Sequence, residues 1–472
     1  MTANHDLHDA CAKYVLDCDV HLADDGDIIS LIYFMRPGKR KRWRYLRALV
    51  FDGGPVSSVV AAELARVIPR AIKLERLTFQ RAEATLSAHP DLALALAALP
   101  SVRHVRIENG YQHTCRMLEA MQWPLESVSL NKTNYTRSWR DSDKLDRLHP
   151  ARLLQNSRTT LKFMKCQSWT ECSDVLPTYP VYPEVHTLIV EDVWCPRSAQ
   201  WAKSFPDLKR LTVGTIEGHF MEDEGNLQEY AAARRRNMNE YAHTEEATVR
   251  TTLESFAGGP LDLYLLGLPC RIRNISISVC EESLNFFTTA MEVALPTYLN
   301  LRISHSLLRA PATSLPVCLL SPGLRELERL SLSFSYTVPD HDSSMDEILE
   351  LIFSALLRLS LREFSLTMDY RKFPYCREGS DDDGPLHLEP PGCPVEGWFT
   401  NFDPKKLAQE FVDLIPSLER VNLAVGPAST HNLQAFLRKE GGVEVAPDVV
   451  SLPDEFRPVD PVLWDMHYPL GV

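Results

Sequence analysis

A six-residue pattern recurs along this chain: an apolar residue, two variable residues, a second apolar residue, one variable residue and a third apolar residue. The copies begin at Leu46, Leu74, Val102, Leu125, Val185, Leu208, Ile272, Tyr298, Leu327, Leu361 and Leu418. A looser copy is Leu161–Phe163, and we place a further one around Tyr14–Cys18. The first steps are 28, 28 and 23 residues. Spacings in this range indicate an array in which each unit packs on its neighbours.

The segments between the copies have helical periodicity. In AAELARVIPRA from Ala61 and MDEILELIFSALLRL from Met345, apolar residues fall at i, i+3, i+4 and i+7. A proline then precedes the next copy of the pattern, where it disfavours further helix and favours an extended chain. It recurs as Pro100, Pro124, Pro183, Pro206, Pro269, Pro296 and Pro416. The sequence therefore predicts one strand and one helix per repeat.

The two kinds of element need different amounts of room. Neighbouring strands lie about 4.8 Å apart, whereas packed helices need about 8–10 Å. A stack with strands on one face and helices on the other must therefore curve towards the strands. We predict an α/β fold with parallel strands on a concave face and helices on a convex face.

The L-x-x-L-x-L pattern at this period resembles that of the leucine-rich-repeat solenoids. Its irregular repeats resemble those of the fungal F-box/leucine-rich-repeat proteins. In that family an F-box docks on a cullin-RING ubiquitin-ligase adaptor and the array holds the substrate. No F-box is recognisable here, so we expect a cullin-RING ligase adaptor as a partner only if an F-box exists outside this chain. The asparagine that the family carries eight residues after the first leucine is replaced by Gly54, Ala82, Gly110, Thr133, Val193, Ile216 and Cys280.

The resemblance implies a protein-interaction module, and we expect a substrate-recognition subunit. The alternative is a stand-alone leucine-rich-repeat scaffold without a ubiquitin role. An enzyme with an unrecognised site is a third alternative, which we disfavour because no P-loop, dinucleotide-binding, zinc-protease or nucleophile-elbow motif is present. No catalytic, cofactor or metal-binding residue is predicted.

Composition limits the compartment and the partner. Fifty basic and sixty-three acidic residues give a net charge of −13, which argues against nucleic acid as a partner. No apolar stretch is long enough to span a membrane, and no secretory signal is visible at the N-terminus. The eleven cysteines form no C-x-x-C motif. We expect reduced thiols in a cytoplasmic or nuclear protein.

The repeat pattern and the local composition divide the chain into predicted segments. The segments are a disordered N-terminus (1–12), a repeat array (13–440) with a helical insertion near 217–256 and a mobile acidic, Pro/Gly-rich loop near 371–402, a last helix near Leu433–Lys439, and a Pro-rich tail (441–472). The tail either caps the open end of the array or is disordered. A basic run extends from Arg36 to Arg47, and such runs function in nuclear import or in phosphate binding. The alternative, which we favour, is an exposed loop in which Trp43 and Tyr45 pack inward.

Side chains alternate along a strand, so the variable positions of the pattern face the concave surface. We predict a partner-binding site there, at Arg76, His104, Arg106, Arg210, Arg302 and Arg329. The five arginines of this set, together with Lys162 and Arg420, give the surface seven basic residues. Four acidic residues lie on the same surface, at Asp52, Glu108, Glu191 and Glu363. Arginine suits a partner that offers an acidic or phosphorylated segment. The alternative is an ordinary solvent-facing strand surface.

Aromatic residues in two loops are a second candidate. Tyr135, Trp139 and Trp169 lie outside the repeat register, in the loops after neighbouring strands. Rigid aromatic side chains on adjacent loops are typical of interface hot spots. Burial within the loops is the alternative.

Overall fold

A computed structural model describes most of the array. The described residues are 11–36, 42–53, 56–131, 149–167, 179–193, 196–215, 224–243, 253–304, 307, 311–337, 345–371, 398, 402–427, 433–438 and 442–444. They form two compact units. Unit 1 comprises the residues up to 253 together with 265–267, and unit 2 comprises 254–264 and the residues from 268 onwards.

Unit 1 contains eight parallel strands that pair in the order of the chain. The strands are β1 (Asp19–Leu22), β2 (Ala48–Phe51), β3 (Arg76–Phe79), β4 (His104–Ile107), β5 (Ser127–Leu130), β6 (Phe163–Gln167), β7 (Thr187–Val193) and β8 (Arg210–Thr215). The helices are α1 (Asp25–Phe34), α2 (Ser58–Val67), α3 (Ala82–Ser87), α4 (Pro90–Ala97), α5 (Gln112–Ala120), α6 (Pro150–Leu153), α7 (Ser198–Ser204) and α8 (Glu224–Ala242).

In the described residues of unit 2, six parallel strands are followed by two antiparallel ones. The strands are β9 (Ser255–Gly258), β10 (Asn274–Val279), β11 (Tyr298–Ile303), β12 (Arg329–Thr337), β13 (Glu363–Arg371), β14 (Arg420–Pro427), β15 (Leu433–Arg438) and β16 (Gly442–Glu444). The helices are α9 (Pro260–Leu266, its last two residues counted with unit 1), α10 (Leu284–Ala294), α11 (Pro311–Leu319), α12 (Met345–Leu356) and α13 (Pro404–Leu414).

The apolar positions of the repeated pattern form the core. Leu77 and Phe79 of β3 are completely buried. Leu330 and Leu332 of β12 are at most 2% exposed. The residue before the recurrent proline is also buried, as at Leu99, except at Leu295, which is half-buried. These positions remove a continuous apolar row from water, which is the main stabilising contribution in such a stack. The predicted α/β class with parallel strands is confirmed.

Adjacent repeats are also tied by a carboxylate. Glu83, in the first turn of α3, accepts hydrogen bonds from the backbone N–H groups of Tyr111 and His113, both at 2.9 Å, and of Thr114 at 3.3 Å. These donors belong to the first turn of α5, where a helix has no intrahelical acceptors for them. Glu83 therefore caps the helix of the following repeat.

The register corrects two copies of the pattern. In β6 the buried residues are Met164 and Cys166, while Phe163 pairs with Ser127 and is half-buried. In β11 the buried residues are Leu299 and Leu301, so the copy begins two residues before Tyr298. Both errors arose because apolar residues occupy neighbouring positions, and spacing alone does not say which of them point inward.

Three further elements differ from the prediction. Residues 11–17 are helical, and the first strand is β1 rather than a strand at Tyr14–Cys18. The copy at β9 was missed because Gly258 replaces its third apolar residue. Residues 433–438 form β15, antiparallel to β14, rather than a helix, so pairing with an available strand edge overrides the local helical pattern.

The insertion and the basic run are described in part. Helix α8 lies within the predicted insertion 217–256. In the basic run, Trp43 is buried and the Arg42 guanidinium lies 4.4 Å from the centre of the Phe34 ring, which favours the inward-packing interpretation. The predicted N-terminal segment up to residue 10, most of the loop near 371–402 and the tail from 445 lie outside the described residues.

Candidate functional site

We use the term open face for the side of each sheet that points away from its helices. The polar residues of the unit 1 open face include Asp19, His21, Asp52, Arg76, Thr78, His104, Arg106, Glu108, Ser127, Ser129, Lys165, Thr187, Glu191, Arg210 and Thr212, and the apolar Ala48, Val50, Phe163 and Ile189 lie in the same cross-strand rows. The unit 2 open face comprises Asn274, Ser276, Ser278, Tyr298, Asn300, Arg302, Arg329, Ser331, Ser333, Glu363, Ser365, Thr367, Arg420 and Asn422. The six predicted binding residues on strands all lie on these two faces.

Ion pairs occupy much of the unit 1 open face. The Arg76 guanidinium lies 2.8 Å from the Asp19 carboxylate, across the small Ala48 of the intervening strand. Arg106 pairs with Glu108 at 2.5 Å. Two of the arginines predicted to bind a partner therefore already have carboxylates of their own.

A third pair lies deeper in the same face. The Lys165 ammonium is 2.7 Å from the Glu191 carboxylate, and both side chains are largely buried. Lys165 was not predicted, because the looser copy was assigned the wrong register. Asp19 was not predicted, because the first strand was placed too early in the chain.

Arg210 differs from these residues. Its Nε donates to the Thr187 hydroxyl at 3.0 Å, and it makes no ion pair with any residue that the structure describes. Its Nε is held by Thr187, and its two terminal nitrogens remain available for an acceptor outside the chain. His104, by contrast, shares a 2.8 Å hydrogen bond with the Ser127 hydroxyl.

Small neutral polar groups cover the centre of the unit 2 open face. One row across five strands consists of Ser276, Asn300, Ser331, Ser365 and Asn422. Within this row the Asn300 amide donates to the Ser276 hydroxyl at 3.0 Å. The two asparagines were missed, although each occupies the variable position between two apolar residues of its strand.

A buried carboxylate lies beside that row. Glu363 is 4% exposed and lies between Arg420 at 2.7 Å and Arg329 at 3.5 Å. Arg329 is thereby committed to an internal ion pair. Arg302 lies on the same open face and is exposed.

A row of alternating charge precedes the strands of unit 1. Arg47 pairs with Glu75 at 2.9 Å, and Glu126 contacts Arg103 at 2.6 Å and Lys162 at 3.0 Å. Hydrogen bonds from Lys162 and Arg103 hold the pKa of the Glu126 carboxyl below its usual range. Lys162 therefore belongs to this row at the strand entrances rather than to the open face.

Other chemistry is limited in the described part of the chain. Burial raises the pKa of the Cys318 thiol to about 12, which disfavours its nucleophilic thiolate form. No cluster of three or more metal-ligating side chains occurs among the described residues, and none of their helices has the length and apolarity needed to cross a membrane. The aromatic candidates Tyr135, Trp139 and Trp169 lie outside the described residues.

Neither the known protein-family models nor the sequences of curated proteins match this chain.

Proposed function

We propose that the chain is a solenoid of the leucine-rich-repeat type that binds a protein partner on its open strand faces. The observation that carries this proposal is the open face itself. In β3, β4 and β5 the apolar residues point into the core, and the alternate residues of the same strands are polar, whereas β2 carries the apolar Ala48 and Val50 at those positions. Repeat arrays of this kind offer extended surfaces suited to binding.

The unit 1 open face offers a position for an acidic or phosphorylated segment. Arg76 and Arg106 are neutralised by their own carboxylates, so the attraction centres on Arg210. A guanidinium whose Nε is already held by a hydroxyl presents its two terminal nitrogens to a carboxylate or phosphate. Within unit 1 this narrows the predicted binding arginines to Arg210 on one strand, β8.

The cellular role that we propose is substrate recognition for a cullin-RING ubiquitin ligase, by resemblance to the F-box/leucine-rich-repeat proteins. A scaffold without ligase association is the alternative, and both roles require binding rather than catalysis. The two roles differ in one observable: a ligase subunit co-purifies with a cullin adaptor.

The test is affinity purification of the tagged protein, with quantification of co-purifying proteins by mass spectrometry. The test variant is Arg210→Glu with Thr212→Glu, which places two negative charges on β8 of the open face. The control variant is Arg70→Glu with Lys73→Glu, two exposed residues between α2 and β3. We expect the test variant to lose a partner that the control retains, with equal thermal midpoints.

A partner retained equally by both variants would exclude the β8 face. Presence of a cullin adaptor in the wild-type sample, retained in the β8 variant, would support the ligase role. Its absence from samples that retain the partner would favour the scaffold.

A further inference from the structure

A basic groove lies in the helical layer of unit 1, away from the open face. It runs between α7 and α8 and has a volume of about 760 Å³. Ala199 of α7 and Ala232 of α8 lie on its walls, where their small side chains leave room between the helices. Lys203, Arg235, Arg236, Asn239 and His243 line it with donor groups, and Glu240 contributes one carboxylate to the same lining.

Buried and half-buried side chains of α8 fix this helix to the backbone at the start of α7 and at Leu265. Asn237 of α8 is completely buried, and its amide donates to the carbonyls of Pro196 and Leu265, both at 2.7 Å. The Tyr241 hydroxyl donates to the Ser198 carbonyl at the start of α7, at 2.9 Å. The groove is thus formed in advance of any ligand, which lowers the entropic cost of binding.

Several donors of the groove have no partner within the described part of the chain. Lys203 makes no hydrogen bond or ion pair there, and Arg235 donates only through Nε, to the Ala231 carbonyl of its own helix. Asn239 is exposed and its amide makes no hydrogen bond there. A groove whose lining has more basic side chains than carboxylates, and several of whose donors are unoccupied within the described residues, is suited to an anionic ligand.

The spacing of these donors fits an extended chain. Arg235, Asn239 and His243 are four residues apart along α8, which is about 6 Å of helix per step. In an extended polypeptide, alternate side chains point the same way and are about 6.8 Å apart. Acidic side chains at alternate positions can therefore meet successive donors. The groove is open along its length and its walls lack large apolar side chains, so a polar chain suits it better than an enclosed apolar ligand.

We propose that the α7–α8 groove binds an extended acidic segment of a protein, with carboxylates at alternate positions. This site is independent of the open face and does not rest on the function proposed above. The ligand carboxylates contact Lys203, Arg235 and Asn239.

The proposal is tested with a fluorescent peptide of alternating glutamate and serine, measured by anisotropy on the full chain. The test variant is Lys203→Glu with Arg235→Glu, and the control is Arg70→Glu with Lys73→Glu, which changes the net charge equally. We expect the test variant to bind at least about tenfold more weakly, the loss of one charge-assisted hydrogen bond or more, and the control to bind like the wild type. Lys203→Met with Arg235→Gln repeats the test without reversed charge, should the first variant fail to fold.

Equal weakening in test and control variants would reduce the effect to net charge and overturn the site. Binding that is equally strong for a peptide with its glutamates in one block would overturn the extended register. Displacement by millimolar inorganic phosphate, or stronger binding of a single-stranded oligonucleotide, would overturn the protein segment as the ligand.

Discussion

The two open faces use the same strand positions for different chemistry. In unit 1 these positions carry opposite charges that meet across or along strands, as in Arg76–Asp19 and Lys165–Glu191. In unit 2 they carry mainly hydroxyl and amide groups, such as Ser276 and Asn300. The net charge of a surface therefore says little about which of its charges remain available to a partner.

Burial also distinguishes individual ion pairs, as a comparison of one pair from each face illustrates. Glu363 of unit 2 is 4% exposed and has an arginine on either side. The side chains of Arg76 and Asp19 in unit 1 are 53% and 48% exposed. Water screens the exposed pair strongly, whereas the buried carboxylate depends on its arginines.

The largest expected effect breaks the buried pair. Replacing both Arg329 and Arg420 by methionine leaves the Glu363 carboxylate buried without a cation and should cost about 3–5 kcal/mol of unfolding free energy. Asp19→Ala, which breaks the exposed pair in unit 1, should cost about 0–1 kcal/mol. Urea denaturation measures both, and equal costs would refute the distinction between the buried and the exposed ion pair.

The cores beneath the two faces should behave alike. Leu211 of unit 1 and Leu330 of unit 2 are 3% and 2% exposed. Replacing either by alanine should cost about 2–5 kcal/mol, through lost transfer free energy and a residual cavity. The measurement is again urea denaturation, with exposed Leu357→Ala as the control. A cost no larger than that of the control would show that the position is not part of the core.

Helix capping offers a smaller contrast. In unit 1, Glu83 caps the helix of the following repeat, whereas in unit 2 Asp403 caps its own helix, accepting from the Lys405 N–H at 2.9 Å. Glu83→Ala should cost about 1–3 kcal/mol because three backbone donors lose a charged acceptor. Asp403→Ala should cost about 0.5–2 kcal/mol.

Thermal and urea unfolding compare these variants with Glu119→Ala, an exposed residue on α5. That control should change the unfolding free energy by less than about 0.5 kcal/mol. A Glu83 variant as stable as this control would show that the cap between repeats does not contribute.

The sequence was sufficient to predict the repeating strand and helix because their periodicities recur many times. It was insufficient where one residue decides the register. Gly258 in place of an apolar residue hid β9, and Phe163 beside Met164 reversed the faces of β6. The open face was predicted correctly at Arg76 and Arg106, but their neutralisation was not. Ion pairs such as Arg76–Asp19 join strands far apart in sequence, so they appear only once the register is known.

The smallest effect concerns acid pH and the charge row of unit 1. Lys162 and Arg103 lower the pKa of Glu126 in the folded protein, so its ionised form is favoured by folding. This contribution is fully present above the ordinary glutamate pKa of about 4.3 and is lost as the pH falls through the lower folded value. Glu126→Gln should therefore flatten the decline of unfolding free energy below about pH 4.3, as measured by urea denaturation between about pH 3 and 6. High salt should reduce the difference between wild type and variant, because the three side chains are partly exposed and screened. Parallel profiles of the two proteins at low salt would show that the charge row does not couple to folding.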